Sequence, residues 1–84
     1  MNKYELTVVV DEKAGASKKK AVVEKVTKMI ETLKGKVEKT TDWGQKEYGL
    51  CVFFSLELDG AGAKVLNDKL RLESEINRYL LIKN

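Results

Sequence analysis

The chain has 84 residues, of which 43% are hydrophobic and 35% are charged. This composition provides one small hydrophobic core and excludes a disordered tail, so we expect a single domain over residues 1–84 with modest stability. The 16 basic and 13 acidic residues give a net charge of +3, which mildly favours anionic partners but does not by itself identify a nucleic acid.

The first 35 residues have the pattern of a strand followed by a helix. Apolar side chains alternate with mostly polar ones over residues 3–10, which predicts a strand. Ser17 is the expected N-cap of a helix that runs to Leu33 or Lys34, and Gly35 is expected to end it as the C′ residue. The helix has one apolar stripe, formed by Val22, Val26, Met29, Ile30 and Leu33.

Two strands of different character are predicted next. Residues 36–41 carry Val37 as their only large apolar side chain, which is typical of an exposed edge strand. We interpret Asp42-Trp43-Gly44 as a break after this strand. Residues 50–58 are the most apolar segment of the chain, so this strand is expected to be central and buried on at least one side.

The last third of the chain predicts a helix and a final strand. Asp59 can cap a helix from about residue 61 to residue 72, and Val65, Leu66 and Leu70 would form its inner face, with Ala61 or Ala63 beside them. A polar break at residues 73–75 precedes a strand over residues 76–83. One side of this strand would carry Ile76, Arg78, Leu80 and Ile82, and the other side Asn77, Tyr79 and Leu81.

The resulting order, β-α-β-β-α-β, is typical of the ferredoxin-like split βαβ fold of the α+β class. Right-handed crossovers would place both helices on one face of a four-stranded antiparallel sheet, with the strands in the spatial order 4-1-3-2. The opposite face would be uncovered and would carry Phe53 and Tyr79, which indicates a docking surface. If the strand parity is shifted, these two aromatic side chains point into the core instead.

The residues that usually carry catalysis are scarce. The chain contains no histidine, and its single cysteine, Cys51, lies in the apolar run of a predicted strand. Phosphate-binding, nucleophile-elbow and C-x-x-C motifs are missing, so we expect no enzyme activity, no metal site and no cofactor. One cysteine excludes an intramolecular disulfide, and no run approaches the roughly 18 apolar residues of a membrane span, so we expect a cytoplasmic protein that binds no membrane.

Lys18, Lys19 and Lys20 form the most informative basic cluster. Three cations in the predicted first turn of a helix oppose the helix dipole, which favours an anionic partner there, although a solvated surface run is the simpler alternative. Residues 49–54 are only a faint version of the aromatic element of an RNA-recognition motif. RNA binding would therefore depend on shape and on phosphate contacts by scattered lysines and arginines, rather than on base stacking.

Four segments resemble one family when they are taken together in chain order. They are Tyr4-Glu5-Leu6, the turn over residues 34–38, the segment over residues 42–47 and the segment over residues 76–83. In this combination, which extends over nearly the whole chain, the sequence is similar to the bacterial small-subunit ribosomal protein S6 family. The resemblance implies a structural, ribosome-bound protein that binds central-domain ribosomal RNA together with ribosomal protein S18 and has no small-molecule substrate.

The resemblance and the charge pattern together define the expected site. The family's W-G-x-K/R element corresponds to Trp43, Gly44 and Lys46, and its R-Y-L-L element begins with Arg78 and Tyr79. We expect Trp43, Gly44 and Tyr79 to take part in partner binding, although each also has a purely structural role available. The cations expected to contact RNA phosphates are Lys3, Lys18, Lys19, Lys20, Lys46, Arg71 and Arg78.

The chain departs from the family after Lys46. The family continues with L-A-Y-P-I and a basic, turn-rich segment, whereas here residues 47–49 lead directly into Leu50. Either the hairpin is shortened, by nature or by design, or a mobile loop is missing from the sequence. The rival interpretation of the whole chain is a small-molecule-binding regulatory domain of the same topology. An acylphosphatase-like hydrolase would need an arginine near the first strand, but both arginines, Arg71 and Arg78, come late in the chain.

Overall fold

The structure is a computed structural model that describes residues 1–47 and 49–84, without the side chains of Ala14 and Ala16. The described residues form the predicted order of elements, β-α-β-β-α-β. The strands are β1 (Asn2–Val10), β2 (Lys36–Lys46), β3 (Gly49–Leu58) and β4 (Ile76–Lys83), and the helices are α1 (Gly15–Thr32) and α2 (Gly60–Arg71). A short 3-10 turn, Glu12–Ala14, joins β1 to α1.

The four strands form one sheet in the order β2-β3-β1-β4. Every neighbouring pair is antiparallel, so the predicted spatial order and strand directions are confirmed. The two central strands, β1 and β3, are the two most apolar segments of the chain, because each has a neighbour on both sides and one face against the helices.

One continuous core lies between the sheet and the helices. Val22, Val26 and Ile30 of α1 and Leu66 and Leu70 of α2 are buried in the same cluster as the inward-facing side chains of β1 and β3. Those strand side chains are Tyr4, Leu6, Val8, Val10, Val52, Phe54, Leu56 and Leu58. Both helices therefore cover the same face of the sheet, which confirms the ferredoxin-like α+β fold.

Both predicted ends of α1 are shifted. The helix begins at Gly15, so Ser17 is not its N-cap; the chain already turns at Asp11, whose carboxylate accepts a hydrogen bond of 2.9 Å from the Lys13 amide. At the other end Lys34, with φ of 63°, takes the left-handed position that was predicted for Gly35. The Lys34 amide donates to the Glu31 carbonyl and the Gly35 amide to the Ile30 carbonyl, both at 2.9 Å.

Gly35 is required for a different reason, which is close packing. A Cβ atom at this position would lie 2.5 Å from Leu58 Cδ1 and 2.7 Å from the Glu57 carbonyl oxygen. The turn between α1 and β2 therefore passes directly against β3, and only glycine fits there.

The predicted cap of α2 is confirmed. The Asp59 side chain accepts a hydrogen bond of 2.6 Å from the Gly62 amide, as an N-cap does. Leu66 and Leu70 form the inner face as predicted, but Val65 is 40% exposed, so its assignment to that face was wrong. Of the two predicted alternatives, Ala63 is the one that is buried beside them, and Gly62 is buried as well, because both lie three or four residues before Leu66 on the same side of the helix.

A bulge decides which side chains of β4 face the helices. Val10 pairs with Ile76 and Val9 pairs with Arg78, so Asn77 is an extra residue in the strand. Beyond the bulge Tyr79 faces the helices, and its hydroxyl donates to Asn67, 2.9 Å from Oδ1. The placement of Tyr79 on the uncovered face was therefore wrong, whereas the alternative strand parity holds for this residue.

Candidate functional site

The sheet face opposite the helices is the most distinctive surface of the described chain. We call it the open face and define it by the strand register, in which directly paired residues point to the same side. Phe53 belongs to it as predicted. Its central members are Thr7 and Val9 of β1, Lys39, Thr41 and Trp43 of β2, Phe53 of β3, and Arg78, Leu80 and Ile82 of β4.

Apolar side chains are exposed on the open face. The indole of Trp43 stacks on the ring of Phe53, with the ring centroids 5.1 Å apart and the planes 12° from parallel. Trp43 is 44% exposed, Leu80 57% and Ile82 46%. Single exposed apolar residues are ordinary, but a group of them on one flat sheet face is typical of a surface that binds another macromolecule.

A bulge in β2 positions the indole of Trp43. The strand continues through Asp42-Trp43-Gly44, so the interpretation of this segment as a break was wrong. Asp42 pairs with Val52 and Gly44 with Cys51, which leaves Trp43 as the extra residue. Gly44 has φ of 73°, and its amide donates to Asp42 Oδ1 at 2.7 Å. The glycine allows the left-handed conformation that releases Trp43 from the regular ladder.

A shallow groove on the open face brings three of the predicted site residues together. Trp43 and Arg78 form part of its wall, and the phenol of Tyr79 points away from it towards α2. Gly44 adjoins the groove through the bulge. The residues lining the groove are Thr7, Val9, Trp43, Arg78, Tyr79 and Leu80.

The lysine cluster of α1 is largely neutralised by acidic residues from elsewhere in the chain. Lys18 lies 3.6 Å from Glu75, and Lys19 is paired with Asp42. Because α1 begins at Gly15, Lys19 and Lys20 also lie beyond its first turn, where the dipole effect is weaker. The conflict with the helix dipole is therefore smaller than the sequence suggested.

The remaining predicted RNA-binding cations are spread over the molecule. Lys3 lies 4.0 Å from Glu57, and Arg71 lies 3.6 Å from Asp68 of the same helix. In the described part of the chain, three predicted cations form no ion pair, and the structure does not gather all seven into one patch. The three are Lys20, Lys46 and Arg78.

Asp42 is the residue at this site that the sequence analysis missed. The Lys19 ammonium, and to a lesser extent the Gly44 amide, hold the pKa of its carboxyl below the ordinary value because both interactions favour the ionised form. A second contact joins β2 to the 3-10 turn before α1, since Gln45 Nε2 donates to Glu12 Oε2 at 2.6 Å. The signal in the sequence was the Asp-x-Gly spacing, which suits a side chain that hydrogen-bonds two residues ahead.

The described residues offer little for other chemistry. They contain no group of three or more histidine, cysteine, aspartate or glutamate side chains placed to hold a metal ion. Neither described helix is long and apolar enough to cross a membrane.

The family model described as ribosomal protein S6 matches residues 3–83. The chain belongs to the ribosomal protein S6 family. The resemblance drawn from the four sequence segments is thus confirmed. Members of this family are structural proteins of the ribosome rather than enzymes. The chain is therefore a structural constituent of the small ribosomal subunit, and RNA binding and a role in translation follow from its family.

Two curated relatives illustrate the match. The small ribosomal subunit protein bS6 of Geobacter metallireducens is 29% identical over 92 residues, which cover 99% of this chain and 78% of the relative. The bS6 protein of Exiguobacterium sibiricum is 26% identical over 93 residues, which cover the whole chain and 98% of the relative. These alignments are longer than the 84 residues of the chain, so the relatives carry residues that have no counterpart here.

Solved structures agree on the fold. The crystal structure of 30S ribosomal protein S6 from Thermotoga maritima superposes with a TM-score of 0.89 at 24% identity, over 99% of this chain and 87% of that one. The C-terminal domain of the MgtC protein from Mycobacterium tuberculosis shares the topology less closely, with a TM-score of 0.69 at 13% identity over 100% and 88% of the two chains. At these identities the likeness shows the fold alone.

Proposed function

We propose that the chain is a non-catalytic component that binds central-domain ribosomal RNA together with ribosomal protein S18, which docks on the open face. The observation that carries the docking part is the group of exposed apolar side chains on that face, Trp43, Leu80 and Ile82. A surface of this kind is unfavourable in water and gains stability when a partner covers it.

The composition of the open face suits a protein partner. Protein interfaces place aromatic and apolar residues at the centre and polar or charged residues around them, and tryptophan is enriched among the residues that dominate binding energy. Here the stacked rings of Trp43 and Phe53 lie between Lys39 on one side and Arg78 on the other. Lys39 forms no ion pair within the described residues, so it is available to a partner's acidic groups.

RNA contacts are proposed for one end of the sheet. Arg78 pairs with Val9 near the end of β1, Lys46 pairs with Gly49 at the start of β3, and Lys20 follows in the second turn of α1. These three cations lie towards the end of the sheet at which β1 finishes. Lysine and arginine side chains that are not neutralised locally release counterions when they meet phosphates, and this release provides affinity without base readout.

The RNA part of the proposal is tested by a matched pair of triple variants. Replacement of Lys20, Lys46 and Arg78 by glutamine should reduce affinity for a central-domain RNA fragment and lower the slope of log affinity against log salt, by about 2.7 if each cation meets one duplex phosphate. The control replaces cations of the opposite end that also lack ion pairs within the described chain, Lys28, Lys36 and Lys64. Equal slopes for the two triples would contradict the assignment.

The docking part is tested by placing a charge on the open face. Leu80→Asp should weaken binding of S18 in the presence of RNA by roughly 30-fold or more, a loss of about 2 kcal/mol that is typical of an interface hot spot. The control is Leu72→Asp, because Leu72 is 82% exposed at the end of α2 and lies outside the open face. Calorimetric titration should separate the two variants, and equal affinities would place the partner on another surface.

A further inference from the structure

The bulge that presents Trp43 is tied to α1 through one carboxylate. Asp42 Oδ2 pairs with the Lys19 ammonium, and Asp42 Oδ1 accepts the Gly44 amide at 2.7 Å. The Gln45 side chain makes a second connection, to Glu12 of the turn before α1. Both backbone neighbours of Trp43 are therefore held by the same side chain, and that side chain is anchored outside the sheet.

Trp43 has few other restraints. It is the extra residue of the bulge, so it does not take part in the regular pairing with β3, and β2 is an edge strand with no neighbour on its other side. Its ring stacks on Phe53 on one side, and the residue as a whole is 44% exposed. A large side chain in this situation has several rotamers available unless the backbone that carries it is fixed.

We propose that Asp42 is a positioning residue of the docking face, which fixes the bulge through the hydrogen bond that it accepts from the Gly44 amide and thereby keeps the Trp43 indole on the Phe53 ring. The role in docking rests on the proposed function, whereas the positioning of Trp43 does not depend on any partner.

The charge and the hydrogen bond of Asp42 have separable contributions. Asp42→Asn keeps a side-chain oxygen for the Gly44 amide but loses the charge that Lys19 meets, whereas Asp42→Ala loses both. Because the hydrogen bond from the Gly44 amide is what fixes the bulge, the asparagine variant should keep the Trp43 indole largely in place. Asp68→Ala is the matched control, because Asp68 is also an exposed acidic residue in an ion pair but lies on α2.

Trp43 is the only tryptophan of the chain, so its fluorescence reports the bulge directly. In the purified full chain, Asp42→Ala should shift the emission to longer wavelength and lower the steady-state anisotropy. Asp42→Asn should resemble the unchanged protein, and so should Asp68→Ala. Thermal unfolding followed by far-ultraviolet circular dichroism should show that Asp42→Ala remains folded, because Asp42 is exposed and outside the core. If Asp42→Ala leaves the emission and the anisotropy unchanged, the positioning role is overturned.

The same variants are then titrated with S18 and RNA. If the docking-competent orientation of Trp43 falls to about a tenth of the population in Asp42→Ala, the apparent dissociation constant should rise about tenfold, and Asp42→Asn should restore it. If Trp43 is released but affinity is unchanged, the positioning role stands while the docking on the open face fails. The two readouts therefore distinguish failure of this inference from failure of the proposed function.

Discussion

The substitution Gly35→Ala tests how closely the turn after α1 packs against the sheet. The added methyl group would meet Leu58 Cδ1 at 2.5 Å, the Glu57 carbonyl oxygen at 2.7 Å and Ile30 Cγ2 at 3.0 Å. Leu58 is fully buried, and the carbonyl belongs to a central strand that pairs on both sides. Neither neighbour can move without disturbing the core or the register of β3, so any movement that relieves the strain itself costs stability.

The expected cost follows from this geometry. Extra methyl groups forced into a packed region typically cost 1–3 kcal/mol, and two contacts below 3.0 Å place Gly35→Ala at about 2 kcal/mol. For a chain of this size each kcal/mol changes the thermal midpoint by roughly 4–8 °C, so the steric cost alone would lower the midpoint by about 8–16 °C. Part of the cost is masked, because alanine also restricts the unfolded chain.

Gly60→Ala provides the matched control for that unfolded-state effect. Gly60 begins α2, and a Cβ atom there has no neighbour within 4 Å. Gly60→Ala should therefore stabilise the protein by about 0.4–1 kcal/mol, through the same change in the unfolded chain. Urea unfolding of both variants, with equal m-values, gives the steric cost at position 35 as their difference. If Gly35→Ala is as stable as Gly60→Ala, the turn does not pack against β3 as described.

Three further predictions concern helices and charge. Lys34→Gly should stabilise the protein by about 0.5–1 kcal/mol in urea unfolding, because glycine adopts the left-handed conformation without strain, and an unchanged or lower stability would contradict the helix-end geometry. Leu66→Ala should cost about 2.5–4 kcal/mol and Val65→Ala less than about 0.5, so similar losses in thermal unfolding would show that the inner face of α2 is misassigned. The pKa of Asp42 is lowered in the folded protein, so the unchanged protein should be more stable than Asp42→Asn by less than about 1 kcal/mol, because the pair with Lys19 is exposed. This difference should be present above the unfolded pKa of about 4 and should disappear as the pH falls through the lowered pKa. A difference that grows towards acid pH in urea titrations would refute this.

The elements and their topology could be predicted because local patterns determine them. The alternation of β1, the continuous apolar run of β3 and the stripe of α1 each indicate one burial pattern, and the order of elements leaves few topologies. The ends of α1 were less predictable because more than one residue suits each position. Ser17 is a good cap, but Asp11 already turns the chain. Gly35 is a good C′ residue, but close packing against β3 requires glycine at the position after the left-handed residue.

The candidate site was harder to predict because it depends on bulges and on distant partners. In β4, apolar residues occur in both alternating sets, so hydrophobicity could not decide whether Tyr79 or Leu80 faces the helices. Asp42-Trp43-Gly44 contains turn-forming residues, and the same preferences also suit a bulge. The neutralisation of Lys18 and Lys19 requires acidic residues that are far away in the sequence, which no local pattern reveals.

The bulge at Asn77 has a consequence for how the open face could change in evolution. Suppose that β4 became regular without losing a residue while Val10 kept its pairing with Ile76. Asn77 would then pair with Val9, and every later side chain of β4 would change sides. Arg78 would be buried and Tyr79 would be exposed. Deletion of Asn77 should instead preserve all the present orientations. Loss of the bulge at unchanged chain length would therefore replace the whole β4 contribution to the open face. The side chains that this face presents are thus determined partly by the register of β4, which the bulge sets.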